Sequence, residues 1–217
     1  HFQPHGRYGA FRSITRFNDI LSVDKNHAVF SSEPRLGGIL ISERGMTRQN
    51  FISMDPPRHD QQRQAVAPMF TPVNLAELEA LIRSRAIDIL ESLPVGQTFD
   101  WVERVSRNLT TQMLATLFDF PFEDRHLLPK WSDIAMVDVH AGTPITSEEV
   151  RQQFLQPCYD CFEQLWKDRL ASPPKKDLLS MLAHSSARET MTPEEFKGNI
   201  LLLIIGGNDT TRNSISG

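Results

Sequence analysis

The stretch that most constrains this chain runs from Ile200 to Thr211, where six apolar residues lead straight into Gly-Gly-Asn-Asp-Thr-Thr. Ahead of it, Thr192, Pro193 and Glu195 combine a cap, a proline suited to the first helical turn and a capping-box residue. The pattern predicts a helix over 193–217. On such a helix Leu202, Ile205, Gly206, Asp209 and Thr210 share one stripe by their i, i+3, i+4 spacing. Each interior glycine costs about 1 kcal/mol relative to alanine, so two in succession need a reason. A flat, bulky group lying against the backbone supplies one. Thr210, bonding a backbone carbonyl, would then loosen the helix and open a groove for water or a small ligand. The competing reading is a kinked, closely packed core helix with a frayed end.

The rest of the chain is mostly helical. Residues 10–16, AFRSITR, alternate apolar and polar side chains and suggest a strand. Residues 16–26 suggest a short helix with Phe17, Ile20 and Leu21 on one side. A long connection without a period follows over about 30–52, and its apolar GGILIS favours a pocket wall. Asp55 as cap and Pro56 at the first position open a helix to about Met69. FTPVN breaks it. Leu75, Leu78, Leu81, Ile82, Ile89 and Leu93 then carry a helix ending at PVG. Asp100 with Glu103 suggests a capping box for a helix to about Phe118, and Thr146 with Glu149 another for a helix through Lys167. Shorter helices fit FPFEDRHLLPKWSDIAMV and DLLSMLAHS. The fold class is mainly α with a small β region near the start, one partial domain over 1–217.

A net charge of −4 gives no pull toward nucleic acid or anionic lipid. The six-residue apolar run is far short of the roughly 20 residues that span a bilayer, so no transmembrane segment is expected. No charged-then-apolar leader opens the chain, and a cytoplasmic location is the expectation. In that setting the glycosylation-type triplets at Asn108 and Asn208 carry no meaning. Cys158 and Cys161 are too few for a disulfide framework. Their C-x-x-C spacing is compatible with metal or redox chemistry, but two small buried residues on a helix explain it more simply. The chain opens on His1 and stops in mid-helix, so it reads as a piece of a longer protein.

His59 and Arg63 stand at i and i+4 on one helix face. Two charged bases so placed repel, and an anion between them turns that cost into binding. Arginine suits bidentate recognition of a carboxylate or phosphate, and histidine adds a second hydrogen bond. The plainer alternative is a solvated basic face beside Asp60.

Together these stretches resemble the cytochrome P450 family of haem-thiolate monooxygenases. Gly206 to Thr211 resemble the family's long-helix motif, Ala/Gly-Gly-x-Asp/Glu-Thr-Thr/Ser. DPPRHDQQR resembles the bacterial helix whose His/Gln and Arg hold a haem propionate, and DILSVDKNHAVFSS the early helix leading to Phe-Ser-Ser. Order and separation agree over nearly the whole chain. FISMDPPRHDQQR, NDTTRNSISG and SITRFNDILSVDKNHAVFSSE are most similar to the bacterial branch that hydroxylates the terminal position of medium-chain alkanes.

The resemblance implies haem b as cofactor, with O2, a ferredoxin and an NAD(P)H-dependent ferredoxin reductase as partners and a hydrophobic small molecule as substrate. It implies catalytic roles for Thr210, toward dioxygen, and Asp209, passing protons. Gly206 and Gly207 would line the distal haem face, His59 and Arg63 would grip a propionate, and Leu202, Ile205, Ile39 and Ile41 would touch substrate. The family's Glu-x-x-Arg helix and its loop with the haem-ligating Cys lie downstream of position 217. Neither Cys158 nor Cys161 fits that role, and the 217 residues alone are expected to be inactive. A terpene or steroid hydroxylase is the alternative within the family. A non-catalytic α-helical ligand-binding module is the alternative outside it.

Overall fold

The computed structural model describes residues 2–3, 10–33 and 49–217. Two short strands, β1 (Phe2–Gln3) and β2 (Phe11–Arg12), pair antiparallel. Among the described residues eight α-helices follow: α1 (Phe17–Asp24), α2 (Arg58–Val66), α3 (Pro72–Glu91), α4 (Asn108–Phe118), α5 (Leu127–Met136), α6 (Glu148–Leu170), α7 (Leu178–Ala183) and α8 (Pro193–Ser216). The mainly α expectation holds. The strand expected over 10–16 is only two residues long.

Local chemistry explains several boundaries. Thr192 and Glu195 form both bonds of the predicted box at the head of α8. Asp55 does not cap α2. Its carboxylate instead accepts from the Ser31 hydroxyl and the Ser32 N–H, tying the loop after α1 to the approach of α2, which begins only at Arg58. The cap of α6 is Ser147 rather than Thr146, because the Ser147 hydroxyl accepts from the Val150 N–H. Glu149 hydrogen-bonds Ser147, which holds its carboxyl below the usual range. Asp100 accepts from the Glu103 N–H, but Glu103 turns to Arg107, so only half of that box forms. The residues from Val102 to Arg107 then wind as a π-helix before α4, a widened turn that periodicity did not announce.

The core lies between α4, α5, α6, α7 and α8. Phe162 of α6 sits at its centre, edge-on to Phe118 at 5.2 Å, stacked on Phe120 at 5.6 Å and edge-on to Trp131 at 6.2 Å. Offset and edge-to-face pairs of this kind add to what area burial alone supplies. Cys158 packs fully buried into the same cluster. Burial, with Cys161 nearby, pushes its thiol well above the ordinary range, and burial raises Cys161 too. Both are free thiols, and of the two expected to be buried Cys158 is and Cys161 is only partly so. No single helix among the described residues is long and apolar enough to cross a membrane.

Candidate functional site

The helix α8 runs unbroken through Gly206 and Gly207. The expected break in the ladder is absent. The Thr210 hydroxyl does donate to the Gly206 carbonyl at 2.5 Å, and Ser214 repeats the bond to Thr210 at 2.8 Å. These i−4 bonds lie along the helix without opening it.

Three faces of α8 do different things. The first packs on α4. A Cβ at Gly207 would stand 2.7 Å from Leu114 Cδ2, so a side chain there needs Leu114 of the neighbouring helix to shift. Beside it Asn208, fully buried, accepts weakly from Thr110 at 3.5 Å and donates to Asp209 at 3.2 Å. The second face turns to α5 and the π segment. Asp209 pairs with Arg212 at 3.0 Å, Arg212 reaches Asp133 at 3.3 Å, and Asp133 holds Arg107 at 2.6 Å. Burial opposes the charge on Arg107, but Glu103 and Asp133 outweigh it and raise its pKa. The third face is open. A Cβ on Gly206 would meet nothing within 4 Å, and Thr210 beside it is exposed. The two glycines thus have separate explanations: close packing for Gly207 and an open surface for Gly206.

Seven residues are almost two full turns, so Asn199 lies on the same side of α8 as Gly206, about 10 Å toward the N-terminus. There the segment Asn50–Ser53 crosses the helix. Asn199 Oδ1 accepts from the Phe51 N–H at 2.8 Å, and Asn199 Nδ2 donates to Gln62 of α2 at 2.7 Å. Any side chain at Gly198 would overlap the Gln49 carbonyl, so glycine lets this strap sit against the helix. Arg58 of α2 ion-pairs with Glu195, one turn before Asn199. Sequence reading missed Glu195 beyond its cap, and missed Gly198, Asn199 and Gln62 altogether. Their signal, a run of polar residues among apolar ones in α2 and α8, has no period that singles them out.

His59 and Arg63 come to this region from α2. His59 is half-buried, its Nδ1 2.8 Å from the Phe51 carbonyl and its ring edge-on to Phe51 at 6.4 Å. Arg63 is exposed and has no side-chain partner among the described residues. Leu202 and Ile205 are partly buried, packed against the core. Ile39 and Ile41, and the GGILIS segment that holds them, lie outside the described residues.

No family model matches the chain. Along its whole length it is 30% identical to linalool 8-monooxygenase of Pseudomonas putida and superimposes on solved structures of cytochrome P450-153 from Novosphingobium aromaticivorans, at 38% identity and a TM-score of 0.82, and of CYP153D17 from Sphingomonas, at 40% and 0.86. It belongs to the cytochrome P450 family. A steroid C26-monooxygenase of Mycolicibacterium smegmatis is also similar, at 29% identity over 94% of the chain. The chain spans about half the length of these P450 relatives: 55% of the linalool enzyme, 48% of the steroid enzyme and 55% of each P450-153 structure. Haem b is the cofactor standard to P450s, and the residues present fit it: an open, Cβ-free patch at Gly206 and, among the described residues, a basic pair with unpartnered nitrogens at His59 and Arg63.

Proposed function

We propose that these residues form the distal half of a haem-dependent monooxygenase that hydroxylates an aliphatic substrate. The single observation carrying the reading is the open face of α8, where Gly206 offers bare backbone beside the Thr210 hydroxyl. Haem, when bound, supplies the activation of O2 and the oxidation of an unreactive C–H bond.

The chain's own residues do the rest. Gly206 admits the flat macrocycle where a side chain would hold it off. Arg63 and His59 grip a propionate, the arginine as a permanent cation and the histidine through its free Nε2. Thr210 Oγ1, its proton committed to the Gly206 carbonyl, presents oxygen lone pairs to a water or a reacting group on the open face. Asp209 receives Arg212 and Asn208 on Oδ1. Its Oδ2 has no partner among the described residues and is the atom to carry a proton in from solvent. Leu202 and Ile205, and Ile39 and Ile41 from the apolar segment, would form the substrate wall.

For the substrate we favour the terminal position of medium-chain alkanes or related chains. Identity is higher to the two P450-153 structures, 38% and 40%, than to the linalool enzyme at 30% or the steroid enzyme at 29%. The last two support terpene or steroid hydroxylation as the second reading. Electrons would come from NAD(P)H through a ferredoxin reductase and a ferredoxin, in the cytoplasm. Substrate-induced shifts of the haem absorption band in the full-length protein test the choice. A shift with octane and none with linalool or a sterol is the expected result, and the reverse selects the second reading.

The catalytic assignment is tested in the full-length enzyme by Thr210→Ala. Haem and substrate binding stay, NAD(P)H consumption stays within about tenfold, and much of it is diverted to hydrogen peroxide. Unchanged product per nicotinamide oxidised removes the hydroxyl from the reaction.

A further inference from the structure

Phe51 is held at both of its backbone groups. Its N–H donates to Asn199 Oδ1 of α8, and its carbonyl faces His59 Nδ1 of α2, each at 2.8 Å. A carbonyl oxygen only accepts, so His59 Nδ1 carries the proton. In the neutral ring Nε2 is then a lone pair. A carboxylate also only accepts, so Nε2 meets it with a hydrogen bond only when the ring is an imidazolium.

Asn199 is what keeps this arrangement fixed. It is fully buried, and its amide is used on both sides: Oδ1 on the strap and Nδ2 on Gln62, three residues beyond His59 on α2. One side chain of α8 therefore sets the positions of both the carbonyl that orients His59 and the helix that carries it. The Phe51 ring is buried and lies edge-on to the imidazole, with ring centroids 6.4 Å apart.

Other charges do not substitute for this control. On α2 and its approach, Asp55 is engaged by Ser31 and Ser32 and Arg58 by Glu195 of α8, while Asp60 and Arg63 flank the ring in sequence. The turn Ser186–Glu189 packs on α2 and carries Arg188 and Glu189. The strap Phe51–Ser53, the segment Ala67–Phe70 and α7 bring no charged side chain. None of these groups forms an ion pair with His59 among the described residues.

We propose that Asn199 is a positioning residue for the His59–Arg63 grip: through Phe51 it presents only His59 Nε2 to the ligand, so that gripping a carboxylate takes up a proton. The inference rests on the reading of His59 and Arg63 as a propionate site.

The experiment is transfer of haem from the full-length protein to excess apomyoglobin, followed between pH 5.5 and 9. The wild type releases haem faster at pH 9 than at pH 5.5, on the order of tenfold. His59→Phe releases at the faster rate at every pH. Asn199→Leu also speeds release and flattens the profile, and adds nothing when combined with His59→Phe. Asn199→Asp keeps an acceptor for the Phe51 N–H, and Gln62 can turn its unpartnered buried Nε2 to the new oxygen, so this variant retains the wild-type profile. A wild-type profile that is flat, with His59→Phe still fast, overturns the proton uptake. Asn199→Leu speeding release equally with and without His59→Phe overturns the positioning role. Release unaffected by His59→Phe sinks the propionate reading itself, and so is distinguishable from both.

Discussion

Arg212 and Asp209 form an ion pair at 3.0 Å within one turn of α8, each side chain only 19% exposed. The same guanidinium reaches Asp133 of α5, so one cation neutralises two carboxylates from different helices. Removing it leaves Asp209 without its cation, while Asp133 keeps Arg107 at 2.6 Å. Arg212→Gln is expected to destabilise by about 1 kcal/mol. Asp209→Asn should cost less after Arg212→Gln than before it, with a coupling of about 0.5–1 kcal/mol. Urea denaturation of the two single variants and the double variant measures this. Additive effects would mean the pair is held in place without contributing.

The two adjacent glycines should respond to alanine with opposite signs. Gly207→Ala gains about 1 kcal/mol of helix propensity but forces the added methyl into Leu114, where overpacking costs roughly 1–3 kcal/mol, so a net loss is expected. Gly206→Ala meets open space and should leave the fold as stable or slightly more so, while weakening haem retention in the full-length protein. Thermal unfolding beside haem content separates the two positions.

The cap of α6 offers a one-residue test. Ser147→Ala should cost about 1 kcal/mol and Thr146→Ala close to nothing, read by denaturant midpoint. A cost at Thr146 with none at Ser147 would return the cap to Thr146.

The thiols give a pH dependence with a definite sign. Cys158 and Cys161 are both raised by burial relative to the unfolded chain. Their contribution to stability is full below about pH 8.5, the ordinary thiol range, and declines above it as the unfolded chain ionises. Denaturation at pH 7 and pH 10 should show the loss, and Cys158→Ala with Cys161→Ala should remove that part of it. At neutral pH iodoacetamide should label Cys158 only as fast as the protein unfolds.

Much of this architecture is legible in the sequence because its signals are local. Thr192, Pro193 and Glu195 announce α8 within four residues, and the Leu and Ile spacing of α3 announces a helix whatever surrounds it. The capping errors share a cause: Asp55 and Thr146 are good caps, but nearby competitors win. Ser31 and Ser32, more than twenty residues upstream, take the Asp55 carboxylate, and Ser147 sits one position better than Thr146. At the site, the residue types at 206–210 and the His59–Arg63 spacing could be read directly. What could not be read is which side each one faces. The difference between Gly206 and Gly207 is set by Leu114, and the orientation of His59 by Asn199, both far away in sequence.

That last separation bears on how the protein is made. Asn199 and Phe51 are 148 residues apart, so the bond between them closes a very long loop. A ribosome releases the strap and α2 well before it releases α8, at roughly 5–20 residues per second. For some seconds of synthesis, therefore, His59 exists without the helix that aims it. Cofactor capture becomes a late event in the life of the nascent polypeptide, governed by arrival of the helix that will form its far wall.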